Sequence, residues 1–425
     1  LKRIVVVGFA TKLHGEEYYD SIYSVFKRHI SKTGISVEYL GPVTSIEEAH
    51  IIGESSKGNL PVLIALTGGT SQFIREFVKS GEHQRVVLIG HGEHNSLPSA
   101  ISARAWLDNN GVWNWIYHCE KPDSPECGVV IERVFRVVGA ISKLLGSKIL
   151  LISEGEGRSE LIEDFEDRFE ATVDVVSIDT IVSKLEEADL KLIEHFYSVF
   201  NNYEFTLPRD KLSSVAKFYA VVKTMVEKEN YTGVAVDCFP YLVKYKVTPC
   251  LALAVLNAEG VITACEGDLA SLALMIISKE LTGYSGLITN ASMFKGCKAY
   301  FAHCTVAVNM IRSGRVLTHF ESGYPYALSG DLLSDIYTFT SMSRDYSLII
   351  SDIGIPIAKG LLYETMCRTQ ITLELGFNAE EIPIYAPANH HVIIPGDLRE
   401  ELRAIANLLG IDYIEYRELV TGRVK

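Results

Sequence analysis

Arg3-Ile4-Val5-Val6-Val7-Gly8-Phe9 is a β-branched run that is apolar on both faces. A strand hidden on both faces belongs inside a parallel sheet covered by helices. The neighbouring segments agree. Tyr19, Ile22, Tyr23, Phe26 and Ile30 fall on one helical stripe within Gly15–Ile30. Pro61–Leu66 is a second buried strand, ending in Thr67-Gly68-Gly69-Thr70, and a helical Ser71–Val78 leads to a third strand, Val86–Gly90.

The pattern restarts with strand Lys148–Ile152, a turn at Ser153-Glu154-Gly155 with Gly157, helix Glu160–Phe169 and strand Thr172–Ser177. Helices over 186–200 and 210–229 and a strand, Gly233–Val236, continue it. Beyond residue 290 the style changes. Tyr300–Val308, Arg315–Phe320, Ser347–Asp352, Gln370–Leu375 and His391–Ile394 read as short strands punctuated by Gly and Pro, before a closing helix, Asp397–Leu409. The expected class is α/β: two Rossmann-like parallel-sheet domains, 1–147 and 148–290, then an antiparallel β-barrel-like domain, 291–425.

Composition bounds the function. The 425 residues are 48% hydrophobic and 22% charged, which suits a folded chain rather than a disordered one. A net charge of −13 repels phosphate backbones and anionic lipid, so neither nucleic acid nor membrane is an expected partner. No 18-residue uncharged apolar window exists, and the chain opens on a strand pattern instead of a secretory signal. The eight Cys contain no CxxC pair, so reduced thiols and a cytoplasmic location are expected.

Several polar groups stand where chemistry is possible. Thr67-Gly68-Gly69-Thr70 lacks the Lys-Ser/Thr of a nucleotide loop and reads first as a tight turn. His91, Glu93, His94 and Asn95 follow a strand, at the end where open parallel sheets bind ligands, and are candidate substrate contacts. Thr263-Ala264-Cys265-Glu266-Gly267-Asp268 is the most informative segment. It follows the apolar run Leu251–Leu256 and leads into a helical stripe from Leu272 to Leu281. Asp268 is placed to cap that helix. Capping does not require Glu266, and a carboxylate among apolar neighbours must be paired, protonated or metal-bound. His303-Cys304, His319-Phe320-Glu321 (with His319 and Glu321 on one side of an extended segment) and Asn389-His390-His391 add imidazoles and acids. Mixed N and O donors suit Mn²⁺, Mg²⁺ or Co²⁺ better than a thiolate zinc site.

At these residues the chain resembles the L-fucose/L-arabinose isomerase family. Glu266-Gly267-Asp268 with Ile277–Gly283 is similar to that family's carboxylate motif and trailing helix, and Ala388-Asn389-His390-His391 to its late metal-histidine motif. His303 falls where the arabinose branch has a metal-site histidine. The resemblance implies a divalent metal, commonly Mn²⁺. It also implies aldose–ketose isomerisation of a pentose or 6-deoxyhexose through an enediol, and a trimer or hexamer. Glu266 becomes metal ligand and acid/base, with Asp268 beside it as a catalytic group. His390 becomes a metal ligand, with His391 not separable from it, and His303 a metal ligand or a residue supporting one. His319, Glu321, Asn389 and His391 become substrate contacts. The His91–Pro98 loop is then a candidate to reach a neighbouring subunit's pocket. The family's second carboxylate position holds Asn290, which can ligate a metal but cannot take a proton at neutral pH. Either Asp268, Glu321 or Asp237 serves instead, or the chain is a non-catalytic or altered-chemistry sugar- and metal-binding homologue.

Overall fold

A computed structural model describes residues 1–155 and 157–422. It divides into two compact units, Leu1–Leu145 with Glu401–Ile411, and Gly146–Glu400 with the chain from Asp412 onward.

In the first unit, β1 (Ile4–Phe9), β2 (Glu38–Val43), β3 (Leu60–Ala65), β4 (Arg85–His91) and β5 (Trp113–Cys119) form a parallel sheet ordered β2-β1-β3-β4-β5. Every residue of β1 and β3 is buried, as their unbroken apolar runs require. Helices Glu16–Ser31 and Pro125–Leu144 pack together, as do Ile46–Ser55, Ser71–Ser80 and Ser96–Asn109. The closing helix, Arg399–Leu409, joins this unit from Glu401 on, and Arg133 pairs there with Glu401 at 3.1 Å.

Reduced thiols throughout are not what is found. Cys119 ends β5, Cys127 sits in the first turn of the next helix, and the two are joined in a disulfide with Cα atoms 5.1 Å apart. The connecting loop folds the helix start back beside the strand end, a proximity that residue spacing does not reveal.

The second unit begins with β6 (Lys148–Ser153) and β7 (Thr172–Ser177), followed by the short β8 (Glu204–Phe205), then β9 (Gly233–Val236) and β10 (Ile262–Cys265). Among the described residues, β10-β9-β6-β7 is a four-stranded parallel sheet. The apolar run 251–256 belongs to a buried helix, Cys250–Ala258, and the strand feeding the Glu266 turn is the shorter β10.

The remaining strands are β11 (Leu287–Lys295), β12 (Lys298–His303), β13 (Ile311–Thr318), β14 (Pro325–Leu332), β15 (Tyr337–Met342), β16 (Leu348–Gly360), β17 (Thr369–Glu374), β18 (His390–Pro395) and β19 (Asp412–Glu415). Six of them close an antiparallel barrel in the order β15-β18-β11-β12-β17-β16, sealed by β16 on β15. Closure leaves no free edge among the six. β19 adds alongside β16, and β14, β13 and β8 make a small separate sheet.

One apolar core runs through the helices of the second sheet and the barrel interior, from Leu150 and Phe218 to Phe301, Phe339 and Tyr416. Helix Leu269–Thr282 packs on β15 and β18. That contact sets the turn before the helix beside the start of β18. No helix among the described residues is long and apolar enough to cross a membrane.

Candidate metal centre

The centre starts from an unusual turn. β10 ends at Cys265, and the next two residues, Glu266 (φ +58°) and Gly267 (φ +62°), are both left-handed. Gly adopts this readily, but a Glu held there costs on the order of 1–3 kcal/mol and persists only where its surroundings fix it. The turn delivers Asp268 to the N-cap of helix Leu269–Thr282, where its Oδ1 accepts from Ser271 N at 2.9 Å and its Oδ2 from Ser271 Oγ at 2.6 Å.

The barrel supplies the imidazoles at one end of three neighbouring strands. His390 opens β18, His303 closes β12, and β11 runs between them with Asn290 opposite both His390 and Ala302. His303 Nε2 lies 3.3 Å from Glu266 Oε1, and His390 Nε2 lies 3.5 Å from Glu266 Oε2. One donor atom each from Glu266, His303 and His390 fall within 4.8 Å of one another. The two imidazole side chains are 5% and 9% exposed, so their ring nitrogens need partners inside the protein.

His390 Nε2 has no hydrogen-bond partner among the described residues, although it faces the Glu266 carboxylate. Its other nitrogen, Nδ1, is bonded to Asp268 Oδ2 at 2.8 Å. A carboxylate holding one ring nitrogen while the other is left free is how metal-binding histidines are oriented. The residues therefore fit a divalent cation: two imidazole nitrogens, a carboxylate, and a backing acid.

Electrostatics agrees. Burial alone would raise the Glu266 carboxyl, but the His303 and His390 imidazoles beside it hold it well below the usual range. Asp268 is lowered in the same way, against burial, by His390 and Ser271. Burial pushes His390 down, yet Asp268 and Glu266 outweigh it and draw the imidazole up to about 9. His391 shows the opposite case. It is fully buried, its Nε2 pairs with Tyr416 Oη at 2.8 Å, its ring lies among Phe301, Phe339 and Tyr416, and burial pushes it down to about 4. Successive strand residues point to opposite sides, so His390 faces Glu266 while His391 faces the barrel core.

The remaining candidate residues take other places. Asn290 Oδ1 accepts from Asn389 Nδ2 at 2.7 Å. His319-Phe320-Glu321 is not extended. It lies past the end of β13 in a turn closed by Gly323 N on His319 O at 2.9 Å, which Gly323 permits with φ +68°. This separates the two side chains: His319 is buried, its Nδ1 accepting from Ser322, and Glu321 is exposed. Hydrogen bonding from Cys367, opposed by burial and aided by His319, draws the Cys304 thiol below its ordinary range.

His91, Glu93, His94 and Asn95 belong to the first unit. His91 is buried with Nε2 on Leu66 O at 3.1 Å, and His94 stacks on Tyr18 with Nδ1 3.1 Å from His14 Nδ1. Gly68 approaches so closely that a Cβ there would lie 2.7 Å from Asn95 Cβ. That tight packing is what the double glycine of the loop serves.

A cavity of about 340 Å³ opens onto Glu266, Asp268 and His390. It falls within the roughly 300–1,000 Å³ of small-molecule sites. Met342, Arg344 and Tyr346 also line it, from the end of β15 and the hairpin beyond. No sequence signal separates that Ser343-Arg344-Asp345-Tyr346-Ser347 turn from an ordinary polar hairpin. Asp237, at the end of β9, lies under the motif: a Cβ on Gly267 would stand 3.6 Å from Asp237 Cβ. Burial, then Glu154 and Glu266, push its carboxyl up.

No family model matches the chain. It is similar to proteins named sulfoquinovose isomerase from Priestia aryabhattai and Priestia megaterium, at 22% identity over 224 residues, covering 48% of this chain and 48% of each relative. The chain spans about half the length of the curated relatives it matches.

Proposed function

We propose that the protein is a metal-dependent aldose–ketose isomerase acting on a monosaccharide, of pentose or 6-deoxyhexose type. The observation that carries this is the convergence of Glu266, His303 and His390, with the buried Nε2 of His390 facing Glu266 at 3.5 Å without a hydrogen bond among the described residues. The similarity to proteins named as sugar isomerases supports it.

A divalent cation, Mn²⁺ by the family resemblance, would supply Lewis-acid polarisation of the sugar carbonyl. Glu266, His303 and His390 would hold it, with Asp268 keeping His390 in the required tautomer. Isomerisation moves a proton between C2 and C1 through an enediol, which needs a proton carrier beside the sugar. Asn290 cannot be that carrier. Asp268 is engaged by Ser271 and His390, and Glu321 is exposed on its turn. Asp237 lies against the Glu266-Gly267 turn, and its carboxylate makes no hydrogen bond or ion pair among the described residues. Asp237 takes the role with Glu266. By the resemblance, the working form is a homo-oligomer, trimer or hexamer.

The test is a panel of pentoses and 6-deoxyhexoses with Mn²⁺, comparing wild type with Glu266→Gln. Ketose from at least one sugar, lost in the variant, is expected. No ketose from any sugar contradicts the proposal. Asn290 favours one other reading, a sugar-binding homologue without turnover: its amide is tied to Asn389 where the family has an acid. Sugar binding without exchange of the C2 proton into D₂O selects that reading, and exchange excludes it.

A further inference from the structure

The cavity of the metal centre carries a charge that the centre does not use. Arg344 lines it, yet its guanidinium has no hydrogen bond or ion pair among the described residues. The nearest acid in sequence is Asp345, and the turn consumes it. Ser343 Oγ donates to Asp345 Oδ1 at 2.5 Å, and Ser347 Oγ donates to Asp345 Oδ2 at 2.8 Å. Those bonds hold the Asp345 carboxyl below its ordinary range.

The turn is closed by backbone hydrogen bonds. Ser343 N donates to Leu348 O at 2.9 Å, and Tyr346 N donates to Ser343 O at 3.0 Å. Tyr346, left-handed at φ +57°, buries its ring against Phe165 and Phe169 and donates its hydroxyl to Leu161 O at 2.9 Å. Arg344 is thus presented from a hydrogen-bonded turn, with its neighbouring carboxylate turned to other work. Ser159, whose hydroxyl makes no hydrogen bond among the described residues, lines the cavity too.

Arg344 is exposed at the cavity wall, and an unpaired guanidinium at such a rim matches an oxyanion, which it grips with two parallel N–H donors. The need is sharpened by the charge of the whole chain. At net −13 the protein repels anionic solutes unless a local cation receives them. We propose that Arg344 is a specificity-determining residue that binds an oxyanion carried by the sugar, at the end away from the carbons held by the metal centre. The shared chemistry is a sulfonate, phosphate or carboxylate on the terminal carbon. The inference rests on the isomerase reading for its turnover readout only, and its binding readout stands alone.

The experiment has two arms. Calorimetry on the Mn²⁺-loaded protein uses polyols without a carbonyl at C1 or C2, which cannot isomerise: 6-deoxyglucitol, its 6-sulfonate, glucitol 6-phosphate and gulonate, the C1-reduced form of glucuronate. At least one charged polyol is expected to bind about 10–100-fold more tightly than the neutral one, the range of a charged hydrogen-bonded pair. Arg344→Gln removes that preference and Arg344→Lys keeps part of it. The charged probe that gains most identifies the oxyanion. In the second arm the matching aldoses are assayed, and Arg344→Gln is expected to raise KM for the charged sugar about 10–100-fold with kcat little changed and the neutral sugar unaffected. Equal binding of neutral and charged polyols, or an Arg344→Gln loss shared by both, overturns the inference. Arg344-dependent binding with no turnover of any sugar leaves it standing and removes the isomerase reading. Turnover of neutral sugars with no preference for charge does the reverse.

Discussion

Two strand-to-helix turns in this protein share the same plan and end differently. In the first unit, Thr67-Gly68-Gly69-Thr70 leads from β3 into helix Ser71–Ser80, and its polar groups close on one another. Thr70 Oγ1 lies 2.8 Å from Ser99 Oγ, Gly68 N donates to His94 O at 2.7 Å, and Thr11 N donates to Thr67 Oγ1 at 2.9 Å. In the second unit, Glu266-Gly267-Asp268 leads from β10 into helix Leu269–Thr282, and its acids reach out to imidazoles on the barrel. One turn is a satisfied network. The other leaves a buried nitrogen without a hydrogen bond among the described residues. A turn at the end of a parallel strand is only a location. It becomes a site when donors from distant segments converge there unsatisfied.

Four outcomes break or sharpen that contrast. The largest effect is expected for Glu266→Gln, which would remove the proposed ligand and proton carrier together and lower kcat/KM about 10⁴-fold, the upper range for a general acid/base. Ser99→Ala, in the satisfied turn, should change it less than about 2-fold, as substitutions away from the chemistry do. Asp237→Asn comes next, lowering kcat about 10²-fold while calorimetry finds Mn²⁺ binding intact. An unchanged kcat removes Asp237 from the mechanism. Asp268→Asn keeps the helix cap, since Asn caps as well as Asp, but loses the charge behind His390. Mn²⁺ affinity should then fall about 10–100-fold with the melting temperature nearly constant. A collapse in melting temperature instead makes Asp268 a structural residue only.

The smallest effect concerns pH. Burial pushes His83, His91 and His391 down to about 4. Their unfolded value is about 6.5, so the unfolded chain binds more protons as the pH falls through that value. Stability is full above about pH 6.5 and declines toward pH 4. Melting temperatures measured across that window should fall with acidification, and a flat profile means these rings are not buried neutral. His390 is shifted the other way, to about 9, by Asp268 and Glu266.

Much of the fold was legible because a doubly buried strand has a plain signature. Arg3–Phe9 and Pro61–Leu66 announce parallel strands by composition alone. The barrel was legible as a style, but its closure was not. The pairing of β15 with both β16 and β18 depends on a partner strand more than fifty residues away. The return of the chain at Glu401 to the first unit left no mark either, since an amphipathic helix does not state which core it covers. At the site, Glu266 stood out as an acid that capping did not need. His390 and His391 could not be told apart, because which of two adjacent strand residues faces inward is fixed by register. Arg344 gave no signal, since its role depends on what the turn does with Asp345.

The central claim is that Glu266, His303 and His390 share one cation. Anomalous scattering from crystals of the protein loaded with Mn²⁺, recorded on either side of the manganese edge, tests it most directly. A peak within about 2.0–2.6 Å of a Glu266 oxygen and of one ring nitrogen each from His303 and His390 is the expected result. Full manganese occupancy elsewhere with no peak among these three residues, or their rings closing on Glu266 with no space between, contradicts it.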